Sequence, residues 1–90
     1  MKIVINECFG GFSLSKEAYD FLGLEWDGYG FEFVSDRTNP DLVRCVEILG
    51  EKANGSHSYL VVVEVPDDVK WYITEYDGDE QVEEVHRIWY

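Results

Sequence analysis

Hydrophobic and polar positions along the 90-residue chain divide into short blocks, each with its own period. Lys2 to Asn6 (KIVIN) reads as a short buried strand, with Ile3, Val4 and Ile5 a continuous apolar run. It exits through Cys8-Phe9-Gly10-Gly11-Phe12, a glycine pair between two aromatics. Ser13 and Ser15 both offer helix N-caps. A helix is predicted over about 15–22, with Glu17 in the first turn, Ala18, Phe21 and Leu22 on one face, and Gly23 as the stop. Leu24 to Gly30 is turn-like. Tyr29, Phe31 and Phe33 then alternate with Gly30, Glu32 and Val34, which predicts a strand with one aromatic face.

Asn39-Pro40-Asp41 opens a second helix, with Asn as N-cap, Pro at the first position and an acid in the first turn. Leu42, Val43, Val46 and Leu49 form its core stripe, Ala53 extends it, and Asn54-Gly55 ends it. Tyr59 to Val65 (YLVVVEV) is the strongest strand, and its unbroken apolar centre predicts burial on both faces or a central position. Pro66-Asp67-Asp68 turns the chain into Lys70–Tyr76, with Trp71 and Ile73 on one side and Tyr72 and Thr74 on the other. Asp77-Gly78 is a hairpin signal. The segment from Glu80 to Tyr90 fits either a strand, with Val82 and Ile88 on one face, or a short helix; the preceding Asp-Gly turn favours the strand. The expected architecture is a single α+β domain over residues 1–90, with about five mostly antiparallel strands and two helices packed on one face.

Charge changes this picture more than composition does. Nineteen acids against seven bases give a formal net charge of −12. A basic face for nucleic acid or for anionic membrane is therefore not expected. Hydrophobic residues at 46% and aromatics at 16% argue against disorder. No apolar run reaches the length of about 18 residues that a membrane span needs. The N-terminal apolar stretch is also shorter than a secretory h-region of about 7–15 residues, which leads to an expected cytoplasmic location, the host cytoplasm for a phage-encoded chain. Cys8 and Cys45 lie in no CxxC pattern and read as free thiols, one of them packed. Together with His57 and His86 they lack the paired spacing of a zinc site, and no cofactor is expected. Asp77, Asp79 and Glu80 around Gly78 do not meet the spacing of a calcium loop.

Two features carry candidate chemistry. The scarce arginines form the first. Arg37 and Arg87, a backbone nest at Gly10-Gly11 and the following helix start describe an anion clamp for a phosphate. Phe9 and Phe12, or Trp89 and Tyr90, would stack on a base. His86 beside Arg87 completes a candidate ligand-binding set of Phe9, Gly10, Gly11, Phe12, Arg37, His86 and Arg87. The plainer alternative pairs Arg37 with Asp36 and Asp41, Arg44 with Glu47 and Arg87 with Glu84 as surface ion pairs. The second feature is an acidic segment. Nine of the acids, against Lys70 alone, stand between Glu64 and Glu84. Glu75, Asp77, Asp79, Glu80, Glu83 and Glu84 would present spaced carboxylates that imitate phosphates in a partner's basic groove, or else serve as a solvated face. No serine or cysteine is tied to His86 by a recognisable catalytic spacing, so no enzymatic activity is expected.

Several short segments resemble a family of small proteins common in tailed bacteriophages and occasional in bacterial genomes. They are Ile5-Asn6-Glu7-Cys8-Phe9-Gly10-Gly11-Phe12-Ser13-Leu14-Ser15, then Asp36-Arg37, Asp41-Leu42-Val43, Ala53-Asn54-Gly55, Pro66-Asp67-Asp68-Val69-Lys70-Trp71, Tyr76-Asp77-Gly78 and His86-Arg87-Ile88-Trp89. The resemblance implies a phage-type origin and names no reaction or ligand. Small phage proteins of this kind often counter host defence. The expectation is therefore a binding protein that sequesters a small nucleotide-type ligand or blocks a host defence protein; the alternative is an acidic nucleic-acid mimic. Fourteen aromatics in so short a chain also fit a homo-oligomer.

Overall fold

A computed structural model of the chain describes residues 1–85. The elements in order are β1 (Lys2–Asn6), α1 (Lys16–Leu22), α2 (Pro40–Leu49), a 3-10 turn (Gly50–Ala53), β2 (Leu60–Glu64), β3 (Trp71–Tyr76) and β4 (Asp79–Glu84). The fold is α+β, with two antiparallel ribbons, β1–β2 and β3–β4, in place of one five-stranded sheet.

The β1–β2 ribbon is the middle layer, because both its faces are apolar. Val4 pairs with Val62, and Asn6 with Leu60. On that face Val4, Leu60 and Val62 pack with Ala18 and Tyr19 of α1 and Leu42, Cys45 and Val46 of α2. On the opposite face Ile3, Ile5, Val61, Val63 and Val65 pack against Trp71, Ile73 and Val82 of the β3–β4 hairpin. Helices, ribbon and hairpin thus form three layers, and each fully buried side chain contributes about 1.5–3 kcal/mol. The expected two-faced contact of the Tyr59–Val65 segment follows from this middle position, but β2 is one strand of a two-stranded ribbon rather than a central strand, and Val61, Val62 and Val63 are half-buried.

Both helices start where capping chemistry requires. Ser15 accepts from the Ala18 N–H, and Asn39 accepts from the Asp41 and Leu42 N–H groups. In α1 the inward residues are Ala18 and Tyr19, while Phe21 is exposed, a correction to the expected face. The stripe of α2 is as expected, with Leu42, Val43 and Val46 buried. Cys45 joins them, and burial pushes its thiol up to about 11. Both cysteines are free.

The strand expected at residues 29–34 is not formed. Gly28, Gly30 and Phe33 all have positive φ, at 86°, 84° and 67°, which a ladder cannot accommodate. The Asp27 carboxylate instead captures the N–H groups of Tyr29 and Gly30, at 2.8 and 2.9 Å. The Gly30 carbonyl accepts from the Leu14 N–H, and a Cβ at Gly30 would lie 2.1 Å from the Leu14 carbonyl oxygen. The buried Tyr19 phenol ties the loop down: it donates to Asp27 and accepts from the Glu32 N–H. Local side-chain capture of backbone donors has outcompeted the alternating pattern.

The N–H groups of Gly30 and Tyr29 hold the Asp27 carboxyl below the usual carboxylate range. A depressed folded pKa contributes stability above the unfolded value near 3.8, and that contribution is lost as pH falls through the folded value. Urea midpoints of the parent should therefore fall on acidification below about pH 4, and Asp27→Asn should start less stable and show a shallower acid loss. Identical pH profiles for the two proteins would contradict this role for Asp27.

Candidate functional site

The residues proposed for an anion clamp do converge, but on a carboxylate of their own chain. Arg37 follows the 28–36 loop, and its carbonyl accepts from the Val4 N–H on the outer edge of β1. Its guanidinium is buried and bidentate on Glu80: Nη1 donates to Oε1 at 2.6 Å and Nη2 to Oε2 at 2.8 Å. Nε donates to the Val34 carbonyl, Nη1 also reaches the Val4 carbonyl at 3.4 Å, and the group lies 3.9 Å above the Phe12 ring. This geometry uses the planar fork of arginine on both carboxylate oxygens. The ion pair is neither the expected surface pair with Asp36 and Asp41 nor an open phosphate clamp.

Glu80 reaches this position through strand parity. In β4, Glu80 and Val82 share the inward face, while Asp79, Gln81 and Glu83 point outward. Glu80 Oε1 also accepts from the Asn6 N–H at 2.8 Å. Asn6 is fully buried and completes the network. Its amide donates to the carbonyls of Cys8 and Gly78, both at 2.7 Å, and its Oδ1 accepts from the Tyr59 N–H. Among the described residues no buried side-chain polar atom is left without a partner.

The Gly10-Gly11 segment lies against neighbouring backbone, with Gly10 itself exposed and Gly11 half-buried. A Cβ at Gly10 would lie 1.8 Å from the His57 carbonyl oxygen, and one at Gly78 would lie 2.5 Å from the Gly11 nitrogen. The hairpin turn therefore sits on the glycine pair. Cys8 Sγ donates to the His57 carbonyl and accepts from the Gly10 N–H, so that donor is already used. Phe12 is buried under the guanidinium, whereas Phe9 is 69% exposed. Of the expected ligand-binding set, Gly11, Phe12 and Arg37 are committed to seating the hairpin, and Gly10 packs against the His57 carbonyl. His86 and Arg87 lie outside the described residues.

The acidic set also divides. Glu80 is buried, a correction to its expected place on an exposed face. Asp79 and Glu83 stand on the outward face, where register pairs Tyr76 with Asp79 and Tyr72 with Glu83. Asp77, at φ 51°, and Gly78, at φ 91°, form the two-residue turn. Glu75 and Glu84 are exposed. Tyr72 and Tyr76 are exposed at 49% and 75%. Sequence reasoning counted the acids and missed these tyrosines as their neighbours; the alternation in Lys70–Tyr76 carried the signal. Elsewhere Lys2, not Arg44, pairs with Glu47, at 2.7 Å.

Among the described residues no group of three or more His, Cys, Asp or Glu side chains is arranged to hold a metal ion. Nor is any helix among them long and apolar enough to cross a membrane. Comparison with family models, curated proteins and solved structures finds no match to this chain.

Removing one partner of a buried ion pair strands the other charge, so Arg37→Ala should cost about 3–5 kcal/mol. Replacing both partners, as in Arg37→Met with Glu80→Leu, should restore most of that stability. Urea denaturation of the single and double variants measures both. A single variant as stable as the parent would remove Glu80 and Arg37 from their seating role.

Proposed function

We propose that the chain is a non-enzymatic binding module whose acidic hairpin occupies the basic groove of a nucleic-acid-binding protein. The observation that carries this reading is the outward face of the hairpin, where Tyr72 and Tyr76 lie directly across from Glu83 and Asp79. The two tyrosine–acid pairs are four residues apart, or about 13 Å along a strand. Tyrosine supplies rigid apolar contact with a polar tip, and the carboxylates supply the charge of a phosphate backbone. The Asp77 turn and Glu75 extend the negative field beyond this face.

The ligand-sequestering reading is less well supported. Its central guanidinium is saturated by Glu80, Val34 and Val4, and a phosphate would have to displace a buried carboxylate. The resemblance to phage proteins fits a partner drawn from host defence, many of whose components handle DNA or RNA. Blocking such a protein at its nucleic-acid groove unites the host-defence expectation with the acidic surface.

The test uses the full chain immobilised against a bacterial lysate, with a Tyr76→Ala, Asp79→Asn, Glu83→Gln variant beside it. The parent should retain a basic protein that duplex DNA or RNA elutes, with affinity falling steeply as salt rises. The variant should fold as the parent does and bind that protein about tenfold or more weakly. Equal retention by parent and variant, or a complex indifferent to nucleic acid and salt, would sink the reading.

A further inference from the structure

The two outer edges of the β1–β2 ribbon are treated differently. Val4 and Asn6 direct backbone groups away from β2, and three of these are met from outside: the Val4 N–H by the Arg37 carbonyl, the Val4 carbonyl by the Arg37 guanidinium, and the Asn6 N–H by Glu80. The middle of that edge is closed. Across the ribbon, Leu60, Val62 and Glu64 are the register partners of Asn6, Val4 and Lys2, so their N–H and C=O groups also point outward. The Leu60 N–H is met by the Asn54 side chain. Among the described residues, the outward backbone groups of Val62 and Glu64 have no protein partner. Burial follows the same division. Ile3, Val4 and Ile5 of β1 are at most 2% exposed, while Val61, Val62 and Val63 of β2 are only half-buried.

We propose that the outer edge of β2 is a strand-addition site for an extended, basic segment of a partner protein. An unpaired edge in a ribbon with an apolar centre is a template for one more strand, with main-chain hydrogen bonds for affinity and alternate side chains for selectivity. Charge selects the occupant. Glu64 closes the strand, and exposed Asp67, which also pairs with the N-terminal ammonium, and exposed Asp68 follow it. A second copy would bring another net charge of −12 to this edge. A segment with valine-like residues opposite Val62 and lysine or arginine opposite Glu64 gains an opposite-charge cross-strand pair instead. The site is separate from the outward face of the hairpin and does not depend on it.

Position 64 allows a clean test, because its N–H has no partner among the described residues. Glu64→Pro removes the outward donor and should fold normally by circular dichroism. Val63→Pro removes a donor to β1 and should unfold. The probe is a synthetic peptide of about seven residues alternating valine with lysine, titrated into the full, isotopically labelled chain. Amide shifts should concentrate between Leu60 and Val65. Glu64→Pro should bind about tenfold or more weakly, while Glu64→Gln, which keeps the N–H, should lose less. In the free protein the Val62 and Glu64 amides should exchange with solvent faster than those of Val61 and Val63. Equal binding of a valine–glutamate peptide, no shifts along β2 at millimolar peptide, or unfolding of Glu64→Pro would each overturn the proposal. So would a self-association of the chain that Glu64→Pro abolishes, since the occupant would then be a second copy.

Discussion

The bidentate contact between Arg37 and Glu80 is where three separate parts of the chain meet. Arg37 ends the irregular loop after α1, Glu80 begins β4, and both bond to backbone groups of β1. A buried ion pair of this kind is not a large net source of stability, because desolvation offsets much of the attraction. Its effect is on arrangement. With both carboxylate oxygens and four guanidinium bonds engaged, the hairpin has one seating on the ribbon, and the glycine loop has one path beneath the hairpin turn.

Apolar packing alone would specify that seating poorly. The hairpin's inward face offers Trp71, Ile73 and Val82, three side chains that could slide over the row of Ile3, Ile5, Val61 and Val63. Asn6 and Glu80 add directional bonds at one end of this contact, where the apolar row stops. The same bonds cover the edge of β1, so one buried network both orients the hairpin and prevents further pairing on that side. On the opposite edge of the ribbon the described residues supply the Asn54 side chain as cover, at Leu60.

Much of the fold was legible because it rests on local rules. Ser15 and Asn39 were visible as caps, Asp77-Gly78 as a hairpin turn, and the apolar run of β2 as a strand in contact on two faces. The failures came where a competing side chain, local at Asp27 and distant at Glu80, decided the outcome. The alternation of Tyr29, Phe31 and Phe33 is real, but Asp27, Gly30 and Tyr19 fold the segment into turns instead, and the rings of Tyr29 and Phe31 stack at 5.9 Å on the outside. Arg37 was singled out as an anion binder for a ligand or for Asp36 and Asp41, and in the fold it binds a carboxylate of its own chain. Nothing in the spacing could say that the anion was Glu80, 43 residues later. Parity did hold the clue: residues 80 and 82 share a face, and Val82 points inward.

That parity joins the seating of the hairpin to the surface it displays. In β4 the inward residues are Glu80 and Val82, and the outward ones are Asp79, Gln81 and Glu83. A slip of one residue would exchange the two sets. It would take Glu80 from Arg37, bury Asp79 and Glu83 without a cation, and turn Val82 to water. The one acid drawn out of the negative cluster is therefore what keeps its neighbours exposed, in register with Tyr72 and Tyr76. The clustering of acids in this hairpin is compatible with a stable fold because a single arginine neutralises the one carboxylate that must be buried. The remaining charge is left on the solvent side, where water screens its self-repulsion.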